Sequence, residues 1–416
     1  MNILLHHSPF TIHHSPLKIT GSKSETNRLL LLQALYPNIT LENISNSDDS
    51  KVMVEDLRNS QFTIHNSQLI DVHHAGTAMR FLTAFYAIQE NKEVVLTGSS
   101  RMKERPIKIL VEALQQLGAE ITYEEKEGFP PIRIKGQKIT KNKVTLKADV
   151  SSQYISALLL IAPKLESGLE LTLEGEITSI PYIKMTLALL NEIGVETSFE
   201  DNVINVCHAE LVSASRLTIE SDWSSASYFY SIIALSEIGT QITLSNYKQN
   251  SLQGDSILVE IYKDFGVETV FENHSIILRK VSVHNSQFTI HNLKSSPDIA
   301  QTIAVTCFGL GIACHLTGLH TLKIKETDRL EALKNELSKL GAIISVTNDS
   351  LTIEESKNPI IESSIDTYQD HRMAMAFAPL ALKTSIIIND AEVVSKSFPT
   401  FWEDLKSIGF LVTEIK

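Results

Sequence analysis

The sequence predicts an α/β protein that is built from repeated modules of helices and strands and divided into two domains. Three observations support this prediction. One motif of helix, glycine and β-rich stretch recurs along the chain, and its copies are evenly spaced. The chain also has 416 residues with 43% hydrophobic composition, which is enough for more than one core.

The recurring motif is an amphipathic helix that ends in a hydrophobic residue and a glycine, followed by a β-rich stretch. Its copies are ILVEALQQLGAEITY, MTLALLNEIGVETSF, ILVEIYKDFGVETVF, LEALKNELSKLGAIISV and FWEDLKSIGFLV, with glycines at Gly118, Gly194, Gly266, Gly341 and Gly409. A glycine after the last helical turn commonly ends a helix in the left-handed conformation. KVMVEDLRNSQ, at 51–61, is a sixth copy without the glycine. Six copies predict two domains of three modules each.

Composition and charge exclude several classes of protein. The net charge is −12, whereas nucleic-acid-binding proteins usually carry a basic surface. No apolar run approaches the roughly 18 residues that a membrane span requires, and the first residues do not form a signal peptide. Three cysteines without a CxxC pair argue against disulfides and zinc. We therefore expect a cytoplasmic protein with neither a nucleic-acid nor a membrane partner.

Hydroxyl and cationic residues gather where helices are expected to begin. Helix N-termini present free N–H groups and the positive end of the helix dipole, so added hydroxyls and cations favour anions. Pro106 is expected at the first position of its helix. If the helix starts face a shared cleft, they suit ligands with several phosphates and carboxylates. The stretches are GSKSETNR (21–28), HHAGTAMRFLTAF (73–85), SSRMKERPIKIL (99–110), ADVSSQYISALLLIAP (148–163), ESDWSSASYFYSIIAL (220–235), KIKETDRLEAL (323–333), YQDHRMAMAFAPLAL (368–382) and VSKSFPTFWEDL (394–405).

Candidate acid–base residues lie within or near these stretches: Lys23, Asp298, Glu326, His371 and Lys396. The sequence contains no Walker A motif and no Rossmann glycine fingerprint, and no ordered cluster of metal ligands stands out. Neither a nucleotide nor a metal ion is therefore predicted.

Three nearly identical strings do not follow the module spacing: SPFTIHHSP (8–16), SQFTIHNSQ (60–68) and SQFTIHNL (286–293). Their alternating pattern is typical of a strand or a loop tip, and it does not favour a metal site. Our hypothesis is that they are duplicated segments tolerated in surface loops.

The motifs occur in the order found in 5-enolpyruvylshikimate-3-phosphate synthases and resemble that family over almost the whole chain. They are GSKSETNR, HAGTAMR, RMKERP, SSQY, SIPY, SDWSSASY, PDIAQTIA, KETDRLEAL, DHRMAMAF and KSFPTFWEDL. The resemblance implies an α/β fold, a two-domain inverse α/β barrel with three βαβαββ modules per domain and an active-site cleft between domains. One domain would be discontinuous, 1–20 plus 222–416, and the other would be 21–221. The family also implies a monomer.

The resemblance further implies transfer of enolpyruvyl from phosphoenolpyruvate to the 5-hydroxyl of shikimate 3-phosphate, a step toward chorismate, without a metal or organic cofactor. Asp298 would activate the 5-hydroxyl, Glu326 would protonate the methylene carbon, and Lys23 would assist proton transfer. The implied shikimate 3-phosphate ligands are Lys23, Ser24, Arg28, Ser151, Ser152, Gln153, Ser179, Tyr182, Asp298 and Lys325. The implied phosphoenolpyruvate ligands are Lys23, Gly76, Arg101, Gln153, Arg329, Arg372 and Lys396.

Two positions depart from the family pattern, because His74 and Thr321 stand where asparagine is common. One alternative is UDP-N-acetylglucosamine enolpyruvyltransferase, which typically uses a loop cysteine in the first half of the chain. Here Cys207 lies in NVCHAELVSASR, away from any helix start resembling RMKERP. The other alternative is a catalytically silent binding protein on the same scaffold, but such a protein would not need Asp298 and Glu326.

Overall fold

The computed structural model describes residues 1–6, 16–60, 68–147, 151–175, 177, 180–210, 216–284, 288–355 and 360–415. The α-helices are α1 (Lys23–Leu35), α2 (Asp48–Ser60), α3 (Gly76–Ala87), α4 (Ser100–Lys103), α5 (Lys108–Leu117), α6 (Ser152–Ile161), α7 (Ile180–Glu192), α8 (Trp223–Leu235), α9 (Leu258–Ile261), α10 (Ala300–Leu310), α11 (Arg329–Lys339), α12 (His371–Phe377) and α13 (Phe401–Ser407). Short 3₁₀ helices span Ala162–Lys164, Gly254–Ile257, Pro297–Ile299, His320–Ile324, Ala378–Leu382 and Ala391–Lys396.

The strands are β1 (Asn2–Leu5), β2 (Thr40–Glu42), β3 (Gln68–Asp71), β4 (Glu93–Thr97), β5 (Glu120–Tyr123), β6 (Ile132–Lys135), β7 (Lys143–Lys147), β8 (Leu169–Glu174), β9 (Thr197–Glu200), β10 (Val203–Val206), β11 (Arg216–Thr218), β12 (Gln241–Ser245), β13 (Val267–Glu272), β14 (Ser275–Lys280), β15 (Phe288–Asn292), β16 (Ala313–Thr317), β17 (Ile344–Val346), β18 (Leu351–Ile353), β19 (Ser363–Ile365), β20 (Ile386–Ile388) and β21 (Val412–Ile415).

The chain divides into two compact units. The first unit comprises Met1–Thr20 and Glu220–Lys416, and the second comprises Gly21–Ile219. Glu220 belongs to the first unit, two residues before the boundary at 222 expected from the sequence. Its carboxylate accepts hydrogen bonds from Trp223 Nε1 (2.8 Å), the Lys248 amide (2.9 Å) and Ser251 Oγ (2.7 Å), which explains this placement.

A single βαβαββ arrangement recurs in both units. In the second unit, the sheets run β3-β4-β6-β5 and β7-β8-β10-β9, and in the first unit one sheet runs β15-β16-β18-β17. In each sheet the first two strands are parallel, as a helical crossover requires, and the other neighbours are antiparallel. The parallel pair of β2 and β11 belongs to the second unit as well. The predicted α/β modules are thus confirmed.

The N-terminal segment completes two sheets of the first unit. Strand β1 lies between β20 and β21 in the order β19-β20-β1-β21, antiparallel to both neighbours. Leu17 forms a parallel bridge to Leu244 in β12, beside β14 and β13. In the sheets β3-β4-β6-β5, β7-β8-β10-β9 and β15-β16-β18-β17, all four strands come from one continuous stretch of sequence. Here β1 occupies one position of its sheet, and Leu17 contacts the edge of the other sheet, so the beginning of the chain contributes to both.

The glycine that ends each repeated helix adopts the predicted left-handed conformation. The φ angles of Gly118, Gly194, Gly266, Gly341 and Gly409 lie between 76° and 109°. After α5, the amides of Gly118 and Ala119 donate to the carbonyls of Gln115 and Leu114, which satisfies the last turn of the helix. This prediction is confirmed.

Two sequence expectations about local structure were wrong. Pro106 does not open a helix, because α5 begins at Lys108 and the preceding cations lie on the separate four-residue helix α4 or follow it. The SQFTIHN pattern predicted a strand or a loop tip, and the third copy is a strand, because Phe288–Asn292 forms β15, parallel to β16; the surface-loop hypothesis does not hold for this copy. Its Thr289 is buried while Phe288 and Ile290 are exposed, which is the alternation of an edge strand. Residues 8–15 and 61–67 of the other copies lie outside the described residues.

The polar motifs occupy the N-terminal ends of buried helices. Helices α3 and α12 are buried along their whole length, and α8 is buried except at Ser224. Ser22, Ser151, Asp222, Asp328 and Asp370 cap α1, α6, α8, α11 and α12, with side chains that accept hydrogen bonds from backbone amides of the first turn. The sides of these helices are packed in the protein interior, so the polar groups that could bind a ligand lie at the helix starts.

Asp56 makes the stability of the second unit depend on pH. The residue is 7% exposed and accepts a hydrogen bond from Tyr86 Oη at 2.8 Å. Burial raises the pKa of Asp56 to about 6 from an ordinary value of 3.8, although the Tyr86 hydrogen bond opposes this shift. The folded protein thus holds this proton more tightly than the unfolded chain does. The contribution of Asp56 to stability therefore falls as pH rises from about 4 to about 6.

We expect Asp56→Asn to raise the free energy of unfolding by about 1–3 kcal/mol at about pH 7.5 and to change it little near pH 4. Urea unfolding at the two pH values measures the effect. Glu55→Gln, on the exposed neighbouring position of α2, is the matched control and should be neutral at both. An equal rise in the free energy of unfolding at both pH values would show that the raised pKa of Asp56 is not the cause.

Candidate active site

Three helices of the second unit place hydrogen-bond acceptors around Arg28, which is 2% exposed. Its Nε donates to Thr186 Oγ1 on α7 (2.8 Å) and its Nη2 donates to Ser156 Oγ on α6 (2.9 Å). Its Nη1 donates to the Ser24 carbonyl on its own helix, α1 (2.8 Å). Tyr182 also lies over the guanidinium, 5.8 Å from its ring centroid. We name Ser24, Arg28, Ser156, Tyr182 and Thr186 the Arg28 cluster.

The Arg28 cluster holds a positive charge that protein carboxylates do not neutralise. No carboxylate of the described residues lies within ion-pair distance of Arg28, and the ring of Phe81 lies 5.5 Å away as a second aromatic neighbour. Burial lowers the pKa of Arg28 to about 10, partly offset by Tyr182 and Glu25. A buried cation surrounded by hydroxyls is an expected site for an anionic group. Such a group would compensate for the solvation that the guanidinium loses on burial.

A second buried arginine, Arg80 on α3, lies beside Arg105. Arg80 is 4% exposed and donates to the carbonyls of Gly76 (3.1 Å) and Pro106 (3.2 Å). Burial, and then the charge of Arg105, lower the pKa of Arg80 to about 10. A Cβ added to Gly76 would lie 2.6 Å from Arg105 Nη1, so this guanidinium packs directly on the glycine. Within the described part of the chain, neither arginine has an ion pair to a carboxylate.

The same region includes the start of α6. Gln153 Nε2 donates to Thr77 Oγ1 at 3.1 Å, which joins the first turn of α6 to the first turn of α3. Ser151 caps α6 and is exposed, whereas Ser152 is buried. These contacts bring together Gln153 and Gly76, two of the residues that the sequence predicted to bind phosphoenolpyruvate.

Two other predicted residues of the second unit, Lys23 and Arg101, pair with carboxylates. Lys23, at the start of α1, lies 3.8 Å from Asp49 Oδ2. Arg101 is exposed and pairs with Glu104 at 2.8 Å, so it does not share the position of Arg105 beside Gly76. Ser179 lies outside the described residues.

The first unit gathers the predicted acid, base and cations around Arg329, which is 1% exposed. Its Nε donates to Asp370 Oδ2 (2.6 Å), its Nη1 to Asp298 Oδ1 (2.9 Å) and its Nη2 to Glu326 Oε2 (2.8 Å). Although burial alone would lower it, the pKa of Arg329 is raised by Asp370, Glu326 and Asp298. The N–H donors of this planar guanidinium thus hold the three carboxylates in place around it.

Two further cations contact Asp298. Arg372 Nη2 lies 3.3 Å from Asp298 Oδ2, and Lys325 Nζ lies 3.5 Å from Asp298 Oδ1. With Glu326, Arg329 and Asp370, these residues form what we name the Arg329 cluster. The side chains of Asp298 and Glu326 are 17% and 30% exposed, whereas that of Asp370 is fully buried, so the first two remain accessible to a ligand.

Lys396 reaches this cluster through the backbone. Its Nζ donates to the Gln369 carbonyl at 2.7 Å, directly before Asp370. His371, another candidate from the sequence, is 2% exposed and lies 3.8 Å from Asp370 Oδ1. The structure therefore brings Asp298, Lys325, Glu326, Arg329, Arg372 and Lys396 together, as separate stretches of the sequence could not show.

Some residues of these clusters had not been assigned from the sequence. Arg105 stands in the same RMKERP string as Arg101, and nothing in that string distinguishes them. Ser156 and Thr186 lie inside helices, where a hydroxyl has no sequence signal for function. Of the two departures from the family pattern, His74 is exposed, and Thr321 Oγ1 is buried without a hydrogen bond among the described residues.

Neither a membrane span nor a metal cluster was found within the described residues. No helix there is long and apolar enough to cross a membrane. No group of three or more His, Cys, Asp and Glu side chains in those ranges could hold a metal ion.

The family described as EPSP synthase (3-phosphoshikimate 1-carboxyvinyltransferase) matches residues 13–405. The chain belongs to the EPSP synthase family. A 3-phosphoshikimate 1-carboxyvinyltransferase of Bacteroides fragilis (strain YCH46) is 44% identical over 402 residues, which cover 95% of each chain. The protein of that name from Buchnera aphidicola subsp. Cinara cedri is 34% identical over 417 residues, which cover 94% of each.

Solved structures show the same fold. The EPSP synthase of Acinetobacter baumannii matches with a TM-score of 0.80 at 22% identity, covering 99% of this chain and all of that one. The enolpyruvyl transferase NikO of Streptomyces tendae matches with a TM-score of 0.75 at 13% identity, covering 99% and 98%. The fold class implied by the family resemblance is confirmed.

Proposed function

We propose that the protein transfers the enolpyruvyl group of phosphoenolpyruvate to the 5-hydroxyl of shikimate 3-phosphate and releases phosphate. The observation that carries this proposal is the 44% identity over 95% of the chain to a 3-phosphoshikimate 1-carboxyvinyltransferase. The buried arginines of both units support it, because both substrates are multiply charged anions. We also propose that the enzyme is a cytoplasmic monomer without a nucleic-acid partner, which the net charge of −12 supports.

The proposed chemistry uses Asp298 as base and Glu326 as acid. Asp298 takes the proton of the 5-hydroxyl while Glu326 protonates the methylene carbon of phosphoenolpyruvate, and the 5-oxygen bonds to the carbon that becomes cationic. The tetrahedral ketal then loses phosphate and a methyl proton, which restores the double bond. Lys23 assists this proton transfer. Arg329 supports these roles structurally, since it holds both carboxylates at 2.8–2.9 Å.

For shikimate 3-phosphate, most of the proposed ligands belong to the second unit, and Lys325 and Asp298 belong to the first. The Arg28 cluster and the start of α6 supply the hydroxyls and the cation for shikimate 3-phosphate. The residues proposed are Lys23, Ser24, Arg28, Ser151, Ser152, Gln153, Ser179 and Tyr182. The buried charge of Arg28, which lies at ion-pair distance from no carboxylate of the described residues, supports this assignment.

For phosphoenolpyruvate we propose Lys23, Gly76, Gln153, Arg329, Arg372 and Lys396, together with Arg105 in place of Arg101. Arg105 packs on Gly76, whereas Arg101 is exposed and already paired with Glu104. Arg80 and Arg105, which form no ion pair with a carboxylate of the described residues, favour an anion at this point of the second unit.

Phosphate release tests the proposed function. The purified chain is mixed with phosphoenolpyruvate and shikimate 3-phosphate, and a parallel reaction contains UDP-N-acetylglucosamine as acceptor. Release with shikimate 3-phosphate alone is expected. Release with the second acceptor alone would show the acceptor assignment to be wrong, and silence with both from folded protein would favour a binding protein.

Gly76→Ala is expected to weaken phosphoenolpyruvate binding with little loss of stability. The new Cβ would lie 2.6 Å from Arg105 Nη1, and this flexible side chain must move away. We expect the KM for phosphoenolpyruvate to rise about 10-fold or more while the KM for shikimate 3-phosphate stays within about twofold.

Steady-state kinetics with each substrate varied, together with the thermal unfolding midpoint, measure this effect. Arg101→Ala serves as the matched control from the same string and should leave both KM values unchanged. If Arg101→Ala raised the KM for phosphoenolpyruvate and Gly76→Ala did not, the assignment of Arg105 would be wrong.

A further inference from the structure

The turn at Thr367–Asp370 has a backbone conformation that does not suit its residues. The Asp370 amide donates to the Thr367 carbonyl at 2.8 Å, which closes a four-residue turn. The two central residues, Tyr368 and Gln369, have φ angles of 53° and 56°. Positive φ at both centres defines a type I′ turn, which strongly favours Asn-Gly. A tyrosine and a glutamine in these positions are therefore strained and must be held by their surroundings.

The restraint comes from Glu336 on α11, a fully buried residue. Its Oε1 accepts a hydrogen bond from Tyr368 Oη at 2.7 Å, and its Oε2 accepts from the Asp366 amide at 3.0 Å. Lys339 contacts both Glu336 and Asp366, since its Nζ lies 2.8 Å from Glu336 Oε2 and 2.7 Å from Asp366 Oδ2. One buried carboxylate therefore anchors the side chain within the turn and the backbone that leads into it.

The turn at Thr367–Asp370 also sets the position of groups at the Arg329 cluster. The Gln369 carbonyl accepts the hydrogen bond from Lys396 Nζ at 2.7 Å. The next residue, Asp370, accepts from Arg329 Nε at 2.6 Å and from the Arg372 amide at 2.9 Å. Any shift of the turn would move the carbonyl that holds Lys396 and the start of the helix that carries Arg372.

We infer that Glu336 and Tyr368 are positioning residues, which hold the strained turn so that Lys396 and Arg372 meet phosphoenolpyruvate in a fixed arrangement. Neither residue belongs to the groups proposed to touch a substrate. The inference rests on the proposed function, because phosphoenolpyruvate is the ligand whose binding reports the arrangement. It explains why the chain retains Tyr-Gln where the turn type favours Asn-Gly: the tyrosine hydroxyl provides the anchor that an asparagine could not extend to Glu336.

The decisive variant is the double replacement Tyr368→Asn with Gln369→Gly, which gives the turn its favoured residues and removes the anchor. We expect its thermal unfolding midpoint to equal or exceed that of the parent, because the strain is relieved. We expect its KM for phosphoenolpyruvate to rise about 10-fold, with kcat changed less than about threefold. A purely structural role of the anchor would not separate stability from donor affinity in this way.

Two single variants complete the experiment. Tyr368→Phe removes only the hydroxyl and should raise the same KM by a smaller factor. Lys334→Met is the matched control, because the side chain of Lys334 is 44% exposed on the same helix and pairs with Glu331 rather than with Glu336. It should leave the KM unchanged.

Phosphate release by the parent protein separates the two proposals. If the parent releases no phosphate, the proposed function fails. If the parent is active and the double variant keeps the parental KM for phosphoenolpyruvate, the positioning role is overturned. A double variant that loses stability without a change in KM also overturns it, since the anchor would then be structural only.

Discussion

Replacing Glu326 by glutamine is expected to lower kcat about 10³-fold, with little effect on the affinity for shikimate 3-phosphate. Glutamine keeps the size of the side chain and can still accept the hydrogen bond from Arg329 Nη2, which is 2.8 Å long in the parent. It cannot give a proton to the methylene carbon. General acid–base groups contribute about 10²–10⁴-fold to enzymatic rates, so the loss should appear in turnover.

Steady-state phosphate release and direct titration with shikimate 3-phosphate measure the two quantities separately. The control is Glu331→Gln on the same helix, whose exposed carboxylate lies 3.6 Å from Lys334. We expect that control to retain parental turnover. A Glu326→Gln enzyme with kcat within about tenfold of the parent would remove Glu326 from the acid role.

Replacing Arg329 by methionine is expected to abolish turnover and to destabilise the protein by about 3–5 kcal/mol, because it leaves the fully buried carboxylate of Asp370 without its cation. Asp370 is 0% exposed and Asp298 is 17% exposed, and both accept hydrogen bonds from this guanidinium. Denaturant unfolding measures the stability, and phosphate release measures the turnover.

A second replacement tells the two losses apart. In Arg329→Met combined with Asp370→Asn, the most buried carboxylate is neutral, so part of the lost stability should return while turnover stays absent. Lys334→Met, at an exposed position of the same helix, should change neither quantity. Parental stability in the single Arg329→Met variant would show that the Arg329 guanidinium does not stabilise the buried carboxylate of Asp370.

The local architecture could be predicted because it depends on short windows of sequence. The amphipathic helix and its terminal glycine identified the module, and all five glycines have the left-handed φ that such an ending requires. The hydroxyl and acidic residues at the helix starts likewise became caps at Ser22, Ser151 and Asp370. Capping and termination act over three or four residues, so the pattern carries them directly.

The partners of the buried charges could not be predicted in the same way. Arg28 meets Ser156 and Thr186, which lie 128 and 158 residues away along the chain. Arg105 and Arg101 stand in one string, yet only Arg105 packs on Gly76. The third SQFTIHN copy was predicted to be a strand or a loop tip, and only the pairing of Phe288–Asn292 with β16 decides for the strand.

The sequence by itself determined the family, the repeated module, the helix boundaries marked by glycine and the set of charged motifs. The tertiary structure alone decided which charges remain without a carboxylate partner, which arginine lies at Gly76 and how a strained turn is held beside Lys396. The physical reason is that backbone conformation follows from neighbours in the chain, whereas the environment of a side chain follows from packing between elements that are far apart in sequence.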